Sequence, residues 1–375
     1  MARQLVGNPK FYIDMLSYWR ARGNLVAIGE QGSNYPSQGG YMPYSIGLSP
    51  TDFMKIPLID GELMPNIEAI LKRDSSLNDI VTDKLFFGIL GHNFNEFDTA
   101  NPGLICYGTD GTEIFNLNDT STTLTDICNF DQAESKPRFN GWSLTEISGV
   151  NIRSIKSIVF ETPFTATDLP HSLYLGSFIF GHVYQMPHSP DLRLKMKREF
   201  DGIKEKQTKG GSSLTHINYT QAPDWVSLPA WELSTQKITD LEPTGVKETR
   251  APARGRRSWE LSWSYISSSD IFAVNELYGK GNPTDSDTNA DAGYSAGTDF
   301  DSNGDFLLNS ELDTSFISRL LDKTIGGALP FVFQPDGNNN SPDTFAICKL
   351  DQGSLDIDQV ASSTYNVKMR IKEVW

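Results

Sequence analysis

The sequence is poor in cysteine and in long apolar runs. It has three cysteines, Cys106, Cys128 and Cys348, in 375 residues, and none stands in a Cys-x-x-Cys motif. An odd number of scattered cysteines in a long chain argues against a disulfide framework, so we expect reduced, buried thiols and synthesis in a cytoplasm. No stretch has the length of a membrane span or of a signal-peptide core, which predicts neither membrane insertion nor secretory export.

Cations are also scarce. The chain has 32 Lys and Arg against 47 Asp and Glu, a formal net charge of -15. Nucleic acids and anionic membranes both bind basic surfaces, so neither is expected as a partner. One basic cluster stands apart, Arg250, Arg254, Arg256 and Arg257. We interpret it as a solvated loop or an ion-pairing contact with a neighbouring subunit, in preference to a DNA contact.

Motifs for catalysis and cofactor binding are missing as well. The five histidines show no metal-ligand spacing, and there is no Gly-x-Ser-x-Gly motif and no phosphate-binding glycine loop. The carboxylates are too numerous for any pair to indicate a glycosidase. We therefore predict no catalytic residue, no cofactor and a protein that is not an enzyme. His182, inside an apolar run, is expected to be a hydrogen-bonded core residue.

The acidic loop 299–305 resembles half of a calcium site. Its carboxylate and amide side chains alternate before Gly304, as in the first half of an EF-hand loop. Position twelve is Ser310 where the loop needs a bidentate Glu, so a solvated loop is favoured and no metal site is predicted. Two polar stretches, 279–304 and 336–341, are expected to be loops that only a partner or an ion orders.

Most of the remaining chain has strand patterning. From about Leu85, short apolar runs alternate with turn residues, and the run 173–184 is apolar on both faces, which predicts a central strand. Three later segments alternate strictly between apolar and polar residues, which predicts strands with one buried face. Their apolar positions are Leu192, Leu194 and Met196; Trp259, Leu261, Trp263 and Tyr265; and Val367, Met369 and Ile371.

Helical periodicity is confined to two short segments. The first predicted helix spans 11–19 and stops at Gly23, and the second spans 312–321. Between the first helix and the strands, residues 29–57 have no period and predict an extended arm or a long loop. In an assembly, an arm of this kind is expected to lie across a neighbouring subunit. The apolar faces of the two helices are Phe11, Tyr12, Met15, Leu16 and Trp19 in the first, and Leu312, Phe316 and Leu320, with Ile317 as a further candidate, in the second.

Aromatic residues mark one candidate interface. Tyr219, Trp225 and Trp231 occur in a stretch that Pro223 and Pro229 punctuate. Such a group serves as an interface hot spot, as a platform for stacking sugars, or simply as a loop anchored to its own core. We single out Tyr219, Trp225 and Trp231 as candidate interface residues.

Two parts of the chain resemble known families. The segments 86–93 (FFGILGHN) and 172–181 (SLYLGSFIFG), with the strand ending at Cys106 and residues 152–160, resemble a galactose-binding-like jelly-roll domain. This resemblance implies a β-sandwich that binds glycans in some relatives and is purely structural in others.

The second resemblance follows a break at 186–190, where Pro187 and Pro190 end the preceding strand. Residues 191–211, the strand from Trp259 and the C-terminal block from 326–336 (GGALPFVFQPD) onward are similar to distal tail or baseplate proteins of tailed phages. That likeness implies a β-sandwich module forming a ring, commonly a hexamer, between the tail tube and the tip or fibre proteins of the virion.

The expected fold is mainly β, a β-sandwich tail module plus a jelly-roll β-sandwich, with few short helices. Residues 1–76 form an N-terminal helix and arm belonging to the tail module, 77–186 the jelly-roll, and 187–375 the distal-tail-like domain with the polar insertion 279–304. The expected function is structural, in the phage tail tip. The alternative is a carbohydrate- or receptor-binding virion protein that contacts a host surface glycan through the jelly-roll.

Overall fold

The structure is a computed structural model. It describes residues 6–31, 47–48, 54–56, 66–72, 83–92, 94, 103–117, 124–128, 130–131, 136–137, 141–150, 152, 155–161, 173–192, 194–199, 203–217, 256–272, 314–341, 344–351, 353 and 355–374. Within these ranges no helix has the length and apolar character needed to cross a membrane.

The described residues are mainly β, as the sequence predicts. The strands of the first half are β1 (Lys10–Asp14), β2 (Leu25–Gln31), β3 (Met54–Ile56), β4 (Asn66–Leu71), β5 (Asp83–His92), β6 (Gly103–Tyr107), β7 (Glu113–Asn116), β8 (Leu124–Cys128), β9 (Phe130–Asp131), β10 (Lys136–Pro137), β11 (Gly141–Val150), β12 (Ser157–Glu161), β13 (Leu173–Leu175) and β14 (Ser177–Gln185). Those of the second half are β15 (Lys195–Glu199), β16 (Ile203–Gln207), β17 (Ser213–Ile217), β18 (Arg256–Ser267), β19 (Phe331–Gln334), β20 (Ala346–Leu350), β21 (Asp356–Ala361) and β22 (Thr364–Glu373). The helices are α1 (Met15–Ala21), α2 (Ser268–Ile271) and a π-helix (Ile317–Asp322).

Two large antiparallel sheets contain most of these strands, and three small sheets pair β3 with β13, β9 with β10 and β16 with β17. The main sheet has 11 strands in the order β15-β18-β22-β20-β19-β1-β14-β5-β11-β8, with β21 added beside β22. The second sheet has five, in the order β2-β4-β12-β6-β7. Strand β14 lies between β1 and β5 and is buried along most of its length, so the predicted central strand is confirmed.

Side chains of both sheets share one core cluster. Phe160 of the second sheet stacks on Phe178 of the main sheet with ring centroids 4.4 Å apart, and Phe87 lies against both rings. Helix α1 adds Leu16 and Trp19 to this cluster. Aromatic burial of this extent is a major favourable term for the fold.

A second hydrophobic cluster lies on one face of the C-terminal half of the main sheet, and part of a third hydrophobic cluster lies on the other face. Because side chains alternate along a strand, Phe11 of β1 joins the second cluster and Tyr12 joins the third. Trp259 packs edge-on against Phe333 at 5.3 Å in the second cluster. The third cluster also contains Leu48, so this described part of the predicted arm packs on its own chain.

The N-terminal prediction of one helix over 11–19 is wrong in its first half. Residues Lys10–Asp14 form β1, which pairs with β14 and β19, and the helix begins only at Met15. Pairing on both edges outweighs the helical period, and Asp14 then caps α1 by accepting from the N–H groups of Leu16 and Ser17. Gly23 follows the helix with φ 71°, as predicted for a C-terminal stop.

The predicted arm 29–57 is wrong at its two ends. Its first residues, to Gln31, belong to β2, which pairs with β4, and Met54–Ile56 form β3, which pairs with β13.

The apolar run 173–184 forms two strands instead of one, because Gly176 separates β13 from β14. A Cβ atom at Gly176 would lie 2.4 Å from the carbonyl oxygen of Leu90, so only glycine fits this close approach.

The alternation in β18 holds up to a bulge. Trp259, Leu261 and Trp263 are buried, whereas Tyr265, predicted on the same face, is 76% exposed. The register with β22 shifts between Trp263 and Ile266, and Tyr265 has φ 63°. The extra residue turns Tyr265 outward and Ile266 inward. In β22 the predicted burial of Val367, Met369 and Ile371 is confirmed.

The second predicted helix is shorter than 312–321. The structure has a π-helix at Ile317–Asp322. Of the residues predicted to be buried, Phe316, directly before this helix, and Leu320, within it, are buried, and Ile317 is half-buried. Leu312 lies outside the described residues.

The polar loop 336–341 is held by hydrogen bonds from its own chain. Gln334, fully buried, donates to the carbonyl oxygen of Asn339 at 2.9 Å and to Oδ1 of Asn340 at 3.0 Å.

The predicted domain boundary at 186–190 falls where a strand ends. Strand β14 stops at Gln185, and the following residues carry no strand. However, β1 joins β14 to β19, so strands from before and after the break belong to one sheet. The division into three domains stays a prediction.

Candidate interaction surface

The interface residues singled out from the sequence cannot be placed. Tyr219, Trp225 and Trp231 lie outside the described residues, and so do the acidic loop 299–305 and the polar insertion 279–304. The candidate surface described below is therefore built from other residues, in the second half of the main sheet.

Two histidines, His92 and His182, and two cysteines, Cys106 and Cys348, are interior groups. His182 is 3% exposed and accepts from Nη1 of Arg319 at 2.8 Å, in agreement with its predicted core role. His92 is fully buried beside Ser143 Oγ at 2.7 Å, and burial lowers its pKa to about 3, so the ring is neutral. Burial likewise raises the pKa of the Cys106 and Cys348 thiols. Among the described residues, no three His, Cys, Asp or Glu side chains lie close enough together to hold a metal ion.

Strand β15 departs most from its predicted environment. Of the described strands, β18 alone pairs with it, and every side chain from Lys195 to Glu199 is exposed. The apolar residues predicted to be buried lie at the surface instead: Leu192 is 81%, Leu194 37% and Met196 51% exposed. Among the described residues, the second cluster extends as far as Trp259 of β18 and does not include Met196 on the neighbouring strand.

The opposite face of the same strands is charged. Lys195 and Lys197 Nζ lie 3.5 and 3.3 Å from the two carboxylate oxygens of Glu260, and Lys372 Nζ lies 2.9 Å from Glu199. The hydrogen bond from Lys197 lowers the pKa of Glu260 below its usual value. These cross-strand pairs are exposed, so they set a charge pattern and contribute little to the stability of the fold.

An open groove of about 480 Å³ lies on the charged face. Glu260, Ser262, Asp356, Lys368 and Arg370 line it, from β18, β21 and β22. The lining offers two carboxylates and two cations without an aromatic ring. Side chains of this kind suit a charged protein surface better than the ring face of a sugar.

A hairpin of β16 and β17 follows β15. Among the strands that the structure describes, these two pair with each other and with no third, from Ile203 with Ile217 to Gln207 with Ser213. Every side chain of the hairpin that the structure describes is exposed, including Leu214 at 61%. An isolated two-stranded hairpin is at best marginally stable in water, so a contact with a further surface would stabilise this element.

The basic cluster near 250–257 is corrected in part. Arg250 and Arg254 lie outside the described residues, but Arg256 and Arg257 belong to β18 and not to a loop. Arg257 pairs with Glu373 of its own chain, with Nη2 and Oε1 2.8 Å apart. Its charge is therefore used inside the subunit and not for a neighbour.

Sequence reasoning missed the exposure of β15, and its alternation with Arg and Lys could not have revealed it. The apolar residues of β22 alternate with Lys368, Arg370 and Lys372 in the same way, yet they are buried. The position of each strand in the sheet, which local alternation does not report, makes the difference.

Comparison with known proteins adds no relative. No protein-family model matches the chain, and neither a curated protein nor a solved structure matches it.

Proposed function

We propose that this chain is a structural virion protein of a phage tail tip or baseplate, and that its copies form a ring connecting the tail tube to tip or fibre proteins. The observation that carries the proposal is the exposed edge of the main sheet at β15, where Leu192, Leu194 and Met196 lie on the surface. Exposed apolar side chains on an edge strand and directly before it mark a contact with another chain.

The finer part of the proposal concerns the two sandwiches. The shared cluster around Phe160 and Phe178 supports a β-sandwich of the jelly-roll kind for the earlier half. The buried face of β18 and β22 supports a second sandwich, the tail module, closed by the segment that includes the π-helix. In this proposal neither half is an enzyme, and the hexameric number of copies comes from the likeness of the sequence to distal tail proteins.

Electron microscopy of negatively stained, purified protein tests the proposal. Rings with a constant number of subunits are the expected result. The competing function, binding of a host surface glycan, is tested on the same preparation with a glycan array. A protein that stays strictly monomeric and binds one glycan class tightly would overturn the ring and favour the receptor-binding role.

A further inference from the structure

Two exposed edge strands of the main sheet, β15 and β21, differ in charge. Strand β15 pairs with β18 and strand β21 with β22, and neither pairs with a further strand among those that the structure describes. Residues 195–199 of β15 contain three cations and one carboxylate, whereas residues 350–367, which include β21, contain three carboxylates and no Lys or Arg. The four strands β15-β18-β22-β21 therefore have a basic edge on one side and an acidic edge on the other.

The charged side chains of the two edges lie on the same face of the sheet. Register pairs join Lys195 of β15 through Glu260 to Arg370 of β22, and they join Asp356 of β21 to Lys368 of β22. Paired residues share a face of the sheet, and so do residues two apart along one strand. The aspartates of β21 therefore lie on the same face as the lysines of β15, and all of these side chains are exposed.

We propose that β15 of one copy pairs with β21 of the next copy in antiparallel register, so that the main sheet continues from subunit to subunit. The register places Lys195 opposite Asp358 of the next copy and Lys197 opposite Asp356 of the next copy. Between these charged pairs, on the other face, it places Met196 opposite an isoleucine, Ile357. This inference rests on the proposed ring and names the strands that join its copies.

The backbone of β15 fits this register. The N–H of Asp191 donates to the carbonyl oxygen of Ser262 at 2.8 Å, so the carbonyl group of Ser262 faces the side of β15. The direction of the backbone groups alternates along a strand, so Glu260, two residues earlier, also faces β15 and forms a hydrogen-bonded pair with Lys195. Met196, the next residue, therefore directs its N–H and carbonyl groups to the free edge.

The backbone of β21 fits it as well. The N–H of Asp351 donates to the carbonyl oxygen of Arg370 at 2.9 Å, so Lys368, two residues earlier, also faces β21 and forms a hydrogen-bonded pair with Asp356. Ile357 therefore directs its backbone groups to the free edge. In the proposed register the two apolar residues exchange hydrogen bonds, and the charged pairs on either side stand at the non-hydrogen-bonded positions, where side chains approach most closely.

The charges select this pairing over pairing of like edges. Two β15 strands aligned at Met196 would place Lys195 against Lys197 of the second copy, and two β21 strands aligned at their isoleucine would place Asp356 against Asp358. Like charges across a contact oppose association, whereas a basic edge on an acidic edge attracts. Edge lysines thus protect β15 from its own kind and leave it open to β21.

Pairing of two different edges also has the geometry that a ring requires. A contact between unlike surfaces repeats head to tail, and it closes into a ring when the rotation between copies permits. It also brings the exposed apolar residues of the two edges together, since Leu194 and Met196 on β15 are 37% and 51% exposed and Val360 on β21 is 45% exposed.

Charge reversal in the full-length chain tests this inference. One variant carries Lys195→Glu and Lys197→Glu, a second carries Asp356→Lys and Asp358→Lys, and a third combines all four changes. The lysine side chains are 56% and 52% exposed, and both aspartates are exposed, so the fold should tolerate their replacement.

Two further variants separate the contact from other effects of charge. Lys195→Gln with Lys197→Gln removes the charge of β15 without repelling Glu260 of the same chain. The matched control is Lys72→Glu with Lys84→Glu, two exposed lysines outside β15 and β21.

Molar mass by sedimentation velocity, with a melting curve for each variant, gives the readout. We expect either charge reversal to reduce the ring-sized fraction at least about tenfold, because like charges then face each other. The Gln variant should show a smaller loss, the control no loss, and the combined variant should regain rings, because its edges are complementary again. Rings that persist in either reversal, or fail to return in a combined variant that melts like the wild type, would overturn this pairing but not the ring.

Disulfide cross-linking tests the register without changing the charge balance of a whole edge. Within one chain, three strand spacings, about 14 Å, separate β15 from β21, which is too far for a disulfide, so a link between them joins two copies. Lys195→Cys with Asp358→Cys should give a ladder of linked copies on a non-reducing gel after mild oxidation. The matched control, Lys195→Cys with Asp356→Cys, is two residues out of register and should link at least about fivefold less, and the oxidised wild type gives the blank.

The cross-links and the rings also separate this inference from the proposed function. Equal or stronger linking in the control variant, or no linking in either variant, would overturn the register even where rings form. A wild-type protein without rings would contradict the proposed function itself.

Discussion

Arg257 and Glu373 form a two-pronged ion pair at the end of the main sheet. Nε of Arg257 lies 3.0 Å from Oε2 and Nη2 lies 2.8 Å from Oε1, while the backbone N–H of Arg257 donates to Oε2 at 2.8 Å. Nη2 also donates to the carbonyl oxygen of Phe345 at 2.6 Å. The pair joins β18, β22 and the residue before β20.

Arg257→Ala should destabilise the fold by about 3 to 5 kcal/mol, since it leaves the Glu373 carboxylate, 3% exposed, without its partner. Chemical denaturation measures this loss. Lys195→Ala, which breaks an exposed pair with Glu260, is the control and should leave the midpoint nearly unchanged. Equal effects of the two substitutions would contradict the assigned role of Arg257.

Asp14 should make stability depend on pH. Burial raises its pKa from 3.8 to about 6, although hydrogen bonds from Ser17, Phe180 and Leu16 act in the opposite direction. The folded state therefore favours the protonated acid. Its stabilising contribution is fully present below about pH 4 and is lost as the pH rises through about 6.

Asp14→Asn keeps an oxygen for the helix cap but cannot ionise. Relative to the wild type, this variant should become more stable between pH 4 and pH 7, by up to about 3 kcal/mol at about 1.4 kcal/mol per pKa unit. Denaturation curves across that range provide the test. Asp110→Asn is the control: hydrogen bonds from Thr112 lower the pKa of Asp110, so the same gain should not occur. A constant difference between wild type and Asp14→Asn would refute the assignment.

Gly181 allows β14 to approach the start of α1. A Cβ atom at this position would lie 2.8 Å from the backbone nitrogen of Met15 and would overlap the carbonyl oxygen of Ile13. Gly181→Ala should therefore lower stability by about 1 to 3 kcal/mol, measured as a lower denaturation midpoint. Gly353→Ala, where a Cβ atom meets nothing within 4 Å, should have almost no effect. A tolerated Gly181→Ala would mean that β1 and β14 are not in this register.

The exposed edge should matter for assembly but not for folding. Leu194→Ser with Met196→Ser should leave the melting temperature unchanged and reduce the ring-sized fraction in light scattering, because both side chains are exposed in the single chain. Leu261→Ser, one strand away and 3% exposed, should instead lower the melting temperature strongly. Loss of stability in the first variant would show that the edge is covered by its own chain.

Alternation in the sequence predicted the buried faces of β18 and β22. Trp259, Leu261 and Trp263 in β18 and the apolar residues of β22 are buried as expected, since a one-residue slip would expose the whole set. The same reasoning misplaced Tyr265, because a bulge leaves no mark in the alternation. Alternation also predicted that Met196 is buried. Whether an apolar face is buried depends on a layer packed against it, and alternation along one strand does not report that layer.

The N-terminal segment shows a second limit of sequence patterns. Phe11, Tyr12 and Met15 fit one helical face, yet the first two lie in β1 because β14 and β19 pair with both of its edges. Such long-range pairing is invisible in local periodicity. The candidate surface was missed for the same reason: the exposed residues of β15 look like those of a half-buried strand until the sheet order is known.

The molar mass of the purified wild-type protein in solution tests the central claim most directly. The chain has a mass of 41.7 kDa, and the proposed ring predicts a single species near six times that value by sedimentation, with dissociation at high salt. A single species at the mass of one chain, at every protein and salt concentration, would contradict the account.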